Sequence, residues 1–171
     1  LFAKYEEINK EHPDSAIYFF NYGLELYQYA SDTTKAQLTN ADELVKKSQE
    51  KLQKSLQLNP DYPQASLVLG QISYNEGIAL QQQAKAVKGT KPEDLKKRAD
   101  IKAEAMKKFD EAIPYFEKID QLLGKEGVLK RADKTSLRDA YDLLVTIYEQ
   151  KRDKDKAAAW TDKYNNVEKV H

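Results

Sequence analysis

The chain contains no cysteine. That excludes disulfides, thiolate zinc sites, iron–sulfur ligation and thiol catalysis. Histidine occurs only as His12 and His171, so a multi-histidine metal site is not expected. With 6 glycines and 5 prolines in 171 residues, little breaks the chain. No apolar run approaches the roughly 18 residues that a membrane helix needs. Net charge is missing too: 28 basic side chains balance 28 acidic ones. Such a chain lacks the electrostatic footprint of a nucleic-acid or anionic-membrane binder. No signal-peptide pattern opens the sequence. Leu1 stands where an initiator Met would, as expected of a processed product or a fragment.

What is present points to helices. A charged fraction of 33% and a mean hydropathy of −0.80 lean toward disorder. Against that, 40% of residues are hydrophobic and 10% aromatic, and the apolar ones recur periodically. Ala, Lys, Gln, Glu and Leu fill most of the rest, and these are helix formers. No segment alternates apolar and polar residues as a strand would. An all-α fold is expected, with the polarity of an elongated helical layer rather than a sphere.

An internal repeat organises the chain. A shift of 47 residues places Pro13-Asp14 on Pro60-Asp61, Gly23 on Gly70, Tyr27 on Tyr74 and Lys4 on Lys51, without a gap. A looser third copy lies 75 residues beyond the second, with Ala140 on Ala65, Leu144 on Leu69 and Ile147 on Ile72. Each copy reads as a helix, a proline-containing turn and a second helix. Pro60 cannot continue the helix that ends near Asn59, whereas Pro63 suits the first turn of the next one. Gly70 would sit in mid-helix, where glycine costs about 1 kcal/mol against alanine. Its recurrence in two copies predicts close approach of a neighbouring helix.

The stretch Ala65-Ser-Leu-Val-Leu69-Gly70-Gln-Ile-Ser-Tyr74-Asn-Glu-Gly77 resembles the first helix of a tetratricopeptide repeat. Lys51 to Pro60 and Asp110 to Lys118 resemble second helices. Ala140 to Tyr148 with Asp155 to Trp160 resembles a further repeat, and Leu1 to Pro13 the second helix of a preceding one. The resemblance implies antiparallel helix pairs stacked as an α-α superhelix. It divides residues 1–171 into a half repeat (1–13), a first repeat (14–59), an elongated second repeat (60–123) and a third (135–170). A repeat of this family is about 34 residues long. The first copy is longer between Gly23 and Ser48, and the second much longer between Gly70 and Ala112. The excess in the second reads as a helical hairpin: one helix from Pro63 to about Lys88, a turn at Gly89–Glu93 with Thr90 and Glu93 spaced as a capping box, and a second helix to Leu123, kinked near Pro114. Its inner face is expected to pair Ile78, Leu80, Ala84 and Val87 with Leu95, Ala99, Ala103 and Met106. Gly124 to Lys134 reads as a loop.

Motifs of catalysis are missing. Phosphate-loop, dinucleotide and nucleophile-elbow patterns do not occur. Glu168-Lys-Val-His171 has the spacing of a di-iron bundle ligand pair, but His12 is preceded three residues earlier by Asn9 rather than Glu. No enzyme, metal or cofactor is expected. The basic cluster Lys96-Lys97-Arg98, with Lys102, Lys107 and Lys108, is interleaved with Asp94, Asp100, Glu104, Asp110 and Glu111. That predicts a solvated hairpin rather than a nucleic-acid surface.

In tetratricopeptide arrays the first helices line a concave face that holds peptides. By resemblance this face presents Ile17, Phe20, Asn21, Leu24, Tyr27 and Gln28 from the first full repeat. The second gives Gln64, Leu67, Gln71, Tyr74 and Asn75, and the third Asp139, Asp142, Thr146 and Glu149. Phe20 and Leu24 could equally pack on their neighbours. The opposite face should be buried: Phe19, Tyr22, Leu26, Leu69, Tyr141, Leu144 and Tyr148. Tyrosines with amide side chains beside them suit a binding surface. The positions where carboxylate-clamp members of the family carry Lys, Asn and Arg hold Phe20, Asn21, Leu67, Val68, Asp142 and Leu143, so no clamp is expected. The acidic end implies a partner with a basic or polar stretch.

The expected function is a non-catalytic protein-binding module or scaffold for a protein or peptide partner. The rival is a structural element that stacks on upstream repeats or self-associates through Leu1, Phe2, Tyr5 and Ile8. The Gln- and Tyr-rich long repeats are similar to those of exported repeat proteins of bacterial envelopes, which implies a periplasmic or exported location and leaves the cytoplasm open.

Overall fold

The computed structural model describes residues 1–32 and 40–171. Part of the longer stretch between Gly23 and Ser48 therefore lies outside the described residues. Seven α-helices account for the regular structure among the described residues: α1 (Phe2–Glu11), α2 (Ala16–Ser31), α3 (Ala41–Leu58), α4 (Pro63–Ala86), α5 (Pro92–Leu123), α6 (Arg131–Gln150) and α7 (Lys154–Val170). None is long and apolar enough to cross a membrane. Packing divides the chain into two units, Leu1–Leu69 and Gly70–His171.

Proline and short polar residues set the helix ends. α3 stops at Asn59, the residue before Pro60, and the Asn59 Oδ1 accepts from the Asp61 N–H at 3.2 Å. Pro63 opens α4. Pro92 opens α5 after Lys91, and no side chain caps that end, so the expected Thr90–Glu93 capping box does not form. A proline at the first helical position needs no donor there. α5 continues through Pro114. α6 begins at Arg131, which shortens the expected loop. The Asp153 carboxylate caps α7 by accepting from the Lys156 N–H at 3.1 Å.

In the first unit α2 and α3 pack as an antiparallel pair. Ser48 Oγ donates to the Gly23 carbonyl at 2.7 Å, and Ser55 Oγ donates to the Ala16 carbonyl at 2.8 Å. The two bonds are one seven-residue step apart on each helix. A Cβ on Gly23 would stand 2.7 Å from Leu52 Cγ, so the missing side chain is what admits Leu52. α1 packs on α2. Tyr5 stacks on Tyr22 at 5.2 Å, and Phe2 meets Tyr29 edge-on at 5.2 Å. Phe2 and Tyr5 thus face their own chain and Ile8 is half-buried, while Leu1 is 72% exposed.

In the second unit α4 and α5 run antiparallel. Gly70 faces Phe116 and Gly77 faces Phe109; a Cβ at either would come within 2.7 Å of the ring. Ala84, one further seven-residue step along, is fully buried. Gly70 and Gly77 on α4 therefore receive the two phenylalanines of α5. The expected inner face of α5 needs correcting. Ala99 and Ala103 are exposed and Leu95 is 50% exposed. The buried row runs instead through Ala105, Phe109, Ala112, Phe116, Ile119 and Leu123. Rings deliver far more buried apolar area than alanines do, so the helix turns its phenylalanines inward. Arg98 falls on that inner side and builds the turn: its guanidinium donates to the Val87 and Gly89 carbonyls at 2.5–3.1 Å. α5 also packs on α6, and α6 on α7.

Candidate functional site: the exposed faces of the first helices

The two units present the expected recognition residues separately. In the first unit, Phe19, Tyr22 and Leu26 point into the core of α2's inner side. On the other side Asn21 and Gln28 are exposed, Ile17 is 52% exposed, and Phe20, Leu24 and Tyr27 are half-buried. Phe20 is engaged: its ring lies 4.9 Å from that of Tyr62. Gln64 and Leu67, on the first turns of α4, are half-buried.

Behind this face sits an ionic knot joining α1, α2 and α3. Glu6 accepts from the Tyr22 hydroxyl at 2.7 Å and pairs with Lys47 at 2.6 Å and Lys51 at 3.5 Å. The hydrogen bond from Lys47 is the largest reason that the Glu6 carboxyl titrates low, at about 2. Burial raises the Tyr22 hydroxyl. Asn9 is 6% exposed, and neither its Oδ1 nor its Nδ2 has a partner among the described residues.

In the second unit the site is built on α4 and α6. Gln71 and Tyr74 are half-buried and Asn75 is exposed on α4. Tyr74 leans on Phe109 at 5.6 Å, and its hydroxyl titrates high, first through burial and then through the Asp142 carboxylate. α6 brings Asp142 and Glu149 to the surface, with Asp139 and Thr146 half-buried. The Thr146 hydroxyl donates to the Asp142 carbonyl at 3.0 Å. Burial pushes the Asp139 carboxyl upward; Arg138 opposes this and Asp142 adds to it. Gln81 Nε2 donates to Gln150 Oε1 at 3.0 Å, which ties α4 to α6 directly. Glu149 lies about two helical turns beyond Asp142 on α6. It lines a cleft of ≈ 510 Å³ with Arg152, Lys154, Ala157, Ala158 and Thr161, at the turn between α6 and α7.

The Asp142 carboxylate thus acts on Tyr74, while Glu149 also borders the cleft at the α6–α7 turn. Sequence reasoning missed Gln81 and Gln150. Gln150 continues the helix row Asp139, Leu143, Thr146, and that periodicity was the available signal. Behind α6, the Tyr141 hydroxyl donates to Asp120 Oδ1 at 2.5 Å and titrates high, mainly through burial. Lys163 pairs with Asp120 at 2.6 Å and lies over Trp160, 4.6 Å from its centroid. These groups already satisfy one another and brace α5, α6 and α7. Among the described residues no three His, Cys, Asp or Glu side chains gather as a metal ion would require. Comparison with family models, curated proteins and solved structures gave no match.

Proposed function

We propose that the chain is a tetratricopeptide-like protein-interaction module that holds a peptide or protein segment on the exposed faces of its first helices, without catalysis. One observation supports this reading: Gln81 on α4 donates to Gln150 on α6, and the Asp142 carboxylate on α6 acts electrostatically on Tyr74 of α4. Alternate helices placed next to each other give a two-helix surface on which a segment can lie, which is how stacked helix pairs generate extended binding faces. Gln71, Tyr74 and Asn75 would supply contact area and amide hydrogen bonds. Asp139 and Asp142 would favour lysine or arginine in the bound segment. In the first unit, Asn21, Tyr27 and Gln28 would play the corresponding part. An exported location belongs to the same proposal and rests on the family resemblance alone.

The test is selection from a random peptide library on the whole chain, followed by Kd measurement for the selected peptides. The expected peptides are enriched in lysine and arginine, and each of Tyr74→Ala and Asp142→Lys weakens them about tenfold or more. Peptides that bind both variants as tightly as the natural sequence would overturn the reading.

A further inference from the structure

Whole-chain neutrality conceals a local asymmetry at the end of the α4–α5 hairpin. Between Lys85 and Lys97 stand five lysines, Lys85, Lys88, Lys91, Lys96 and Lys97, against two carboxylates, Glu93 and Asp94. All five lysines are exposed, and none forms an ion pair among the described residues. Lysines further down the same hairpin behave differently: Lys108 bridges Glu76 at 2.9 Å and Glu111 at 3.1 Å. The interleaving of charges read from the sequence therefore neutralises the body of the hairpin and leaves its end cationic. Leu95 projects there at 50% exposure, directly before Lys96 and Lys97. At about 1.5 Å per residue the lysines of both helices lie within roughly 10 Å of the turn, close to the ~8 Å over which charge acts at physiological salt.

The residue types select among anionic partners. Base readout in nucleic acid relies on arginine forks, and single-strand binding on aromatic stacking. The one arginine here, Arg98, spends its guanidinium on the Val87 and Gly89 carbonyls, and residues 82–100 contain no aromatic side chain. Lysine ammoniums are point charges that need no fixed partner geometry. A fluid array of headgroup phosphates suits them, and an exposed leucine among them suits the acyl boundary beneath.

We propose that the end of the α4–α5 hairpin docks on an anionic lipid bilayer, with Lys85, Lys88, Lys91, Lys96 and Lys97 over the headgroups and Leu95 inserted between them. This surface is separate from the α4–α6 face, so Tyr74→Ala should leave it untouched. The experiment is co-sedimentation of the whole chain with vesicles of phosphatidylcholine alone or with about 30% phosphatidylserine. It is repeated with Leu95→Gln and with all five lysines changed to glutamine. Circular dichroism verifies that both variants stay helical. The expected result is binding to the phosphatidylserine vesicles only, abolished near 0.5 M salt. The five-glutamine variant should lose about tenfold or more, and Leu95→Gln several-fold. Failure of the natural chain to sediment with the anionic vesicles, or undiminished binding of the five-glutamine variant, would overturn the proposal. So would a Leu95→Gln variant that binds fully while double-stranded DNA competes completely, since the surface would then recognise any polyanion.

Discussion

Gly23 and Gly70 coincide when the sequence is shifted by 47 residues, yet the neighbours they admit differ. Around Gly23 the pair α2–α3 is closed by Leu52 and by two serine hydroxyls that donate to backbone carbonyls. Around Gly70 the pair α4–α5 is closed by the ring of Phe116, and one turn pair further on Gly77 admits Phe109. The same absence of a side chain thus supports two kinds of interface, one small and hydrogen-bonded, the other large and apolar. The second kind explains how α4 and α5 can grow to 24 and 32 residues. Gly70 and Gly77, one seven-residue step apart, each stand opposite a ring, a spacing like that of a coiled-coil seam.

The largest expected effect breaks the apolar seam. Phe109 is fully buried, so Phe109→Ala should lower stability by about 3–5 kcal/mol in a urea titration. A loss below about 1 kcal/mol would mean that the ring is not the packing element described. Next comes the glycine itself. Gly70→Ala would gain about 1 kcal/mol in an unencumbered helix, but here the added methyl meets Phe116. The expected outcome is a net loss of about 1–3 kcal/mol, partly restored in a Gly70→Ala/Phe116→Leu double variant. A gain in stability for the single variant would remove the close-approach argument. The hydrogen-bonded pair should respond less. Ser48→Ala should cost about 0.5–1.5 kcal/mol, with thermal melting as the readout.

The smallest effect concerns pH. Glu6 titrates at about 2 when folded, below its ordinary 4.5. Its contribution is therefore complete above about pH 4.5 and is lost as pH falls toward 2. The side chain is 34% exposed, so screening keeps the effect small. Glu6→Gln should flatten the stability profile over this window and leave the Gly70 seam unaffected. An unchanged slope between pH 4.5 and 2 would show that Glu6 is not the group responsible.

Much of the fold was legible because the sequence punctuates itself. Pro60, Pro63 and Pro92 mark helix ends, and the repeated glycines mark helix contacts. The inward side of Phe19, Tyr22, Leu26, Leu144 and Tyr148 followed from period 3.6. The face of α5 was not legible, since Leu95-Ala99-Ala103 and Phe109-Phe116 are both plausible apolar rows. Only the spacing of Gly70, Gly77 and Ala84 on the partner helix chooses between them. Arg98 looked like one more surface cation, and nothing in sequence said that it would close a turn. At the candidate site, the positions of Tyr74 and Asp142 on their helices were readable from the repeat, whereas the bond between Gln81 and Gln150 joins residues 69 apart and had no local signal.

The most direct test of the account is a nuclear magnetic resonance titration of the whole chain with a library-selected peptide. Saturation should shift Gln71, Tyr74, Asp142 and Gln150 most strongly, while Phe109 and Leu144 beneath them move little. Shifts concentrated on α7, or on the Glu149–Thr161 cleft with Tyr74 unmoved, would contradict it.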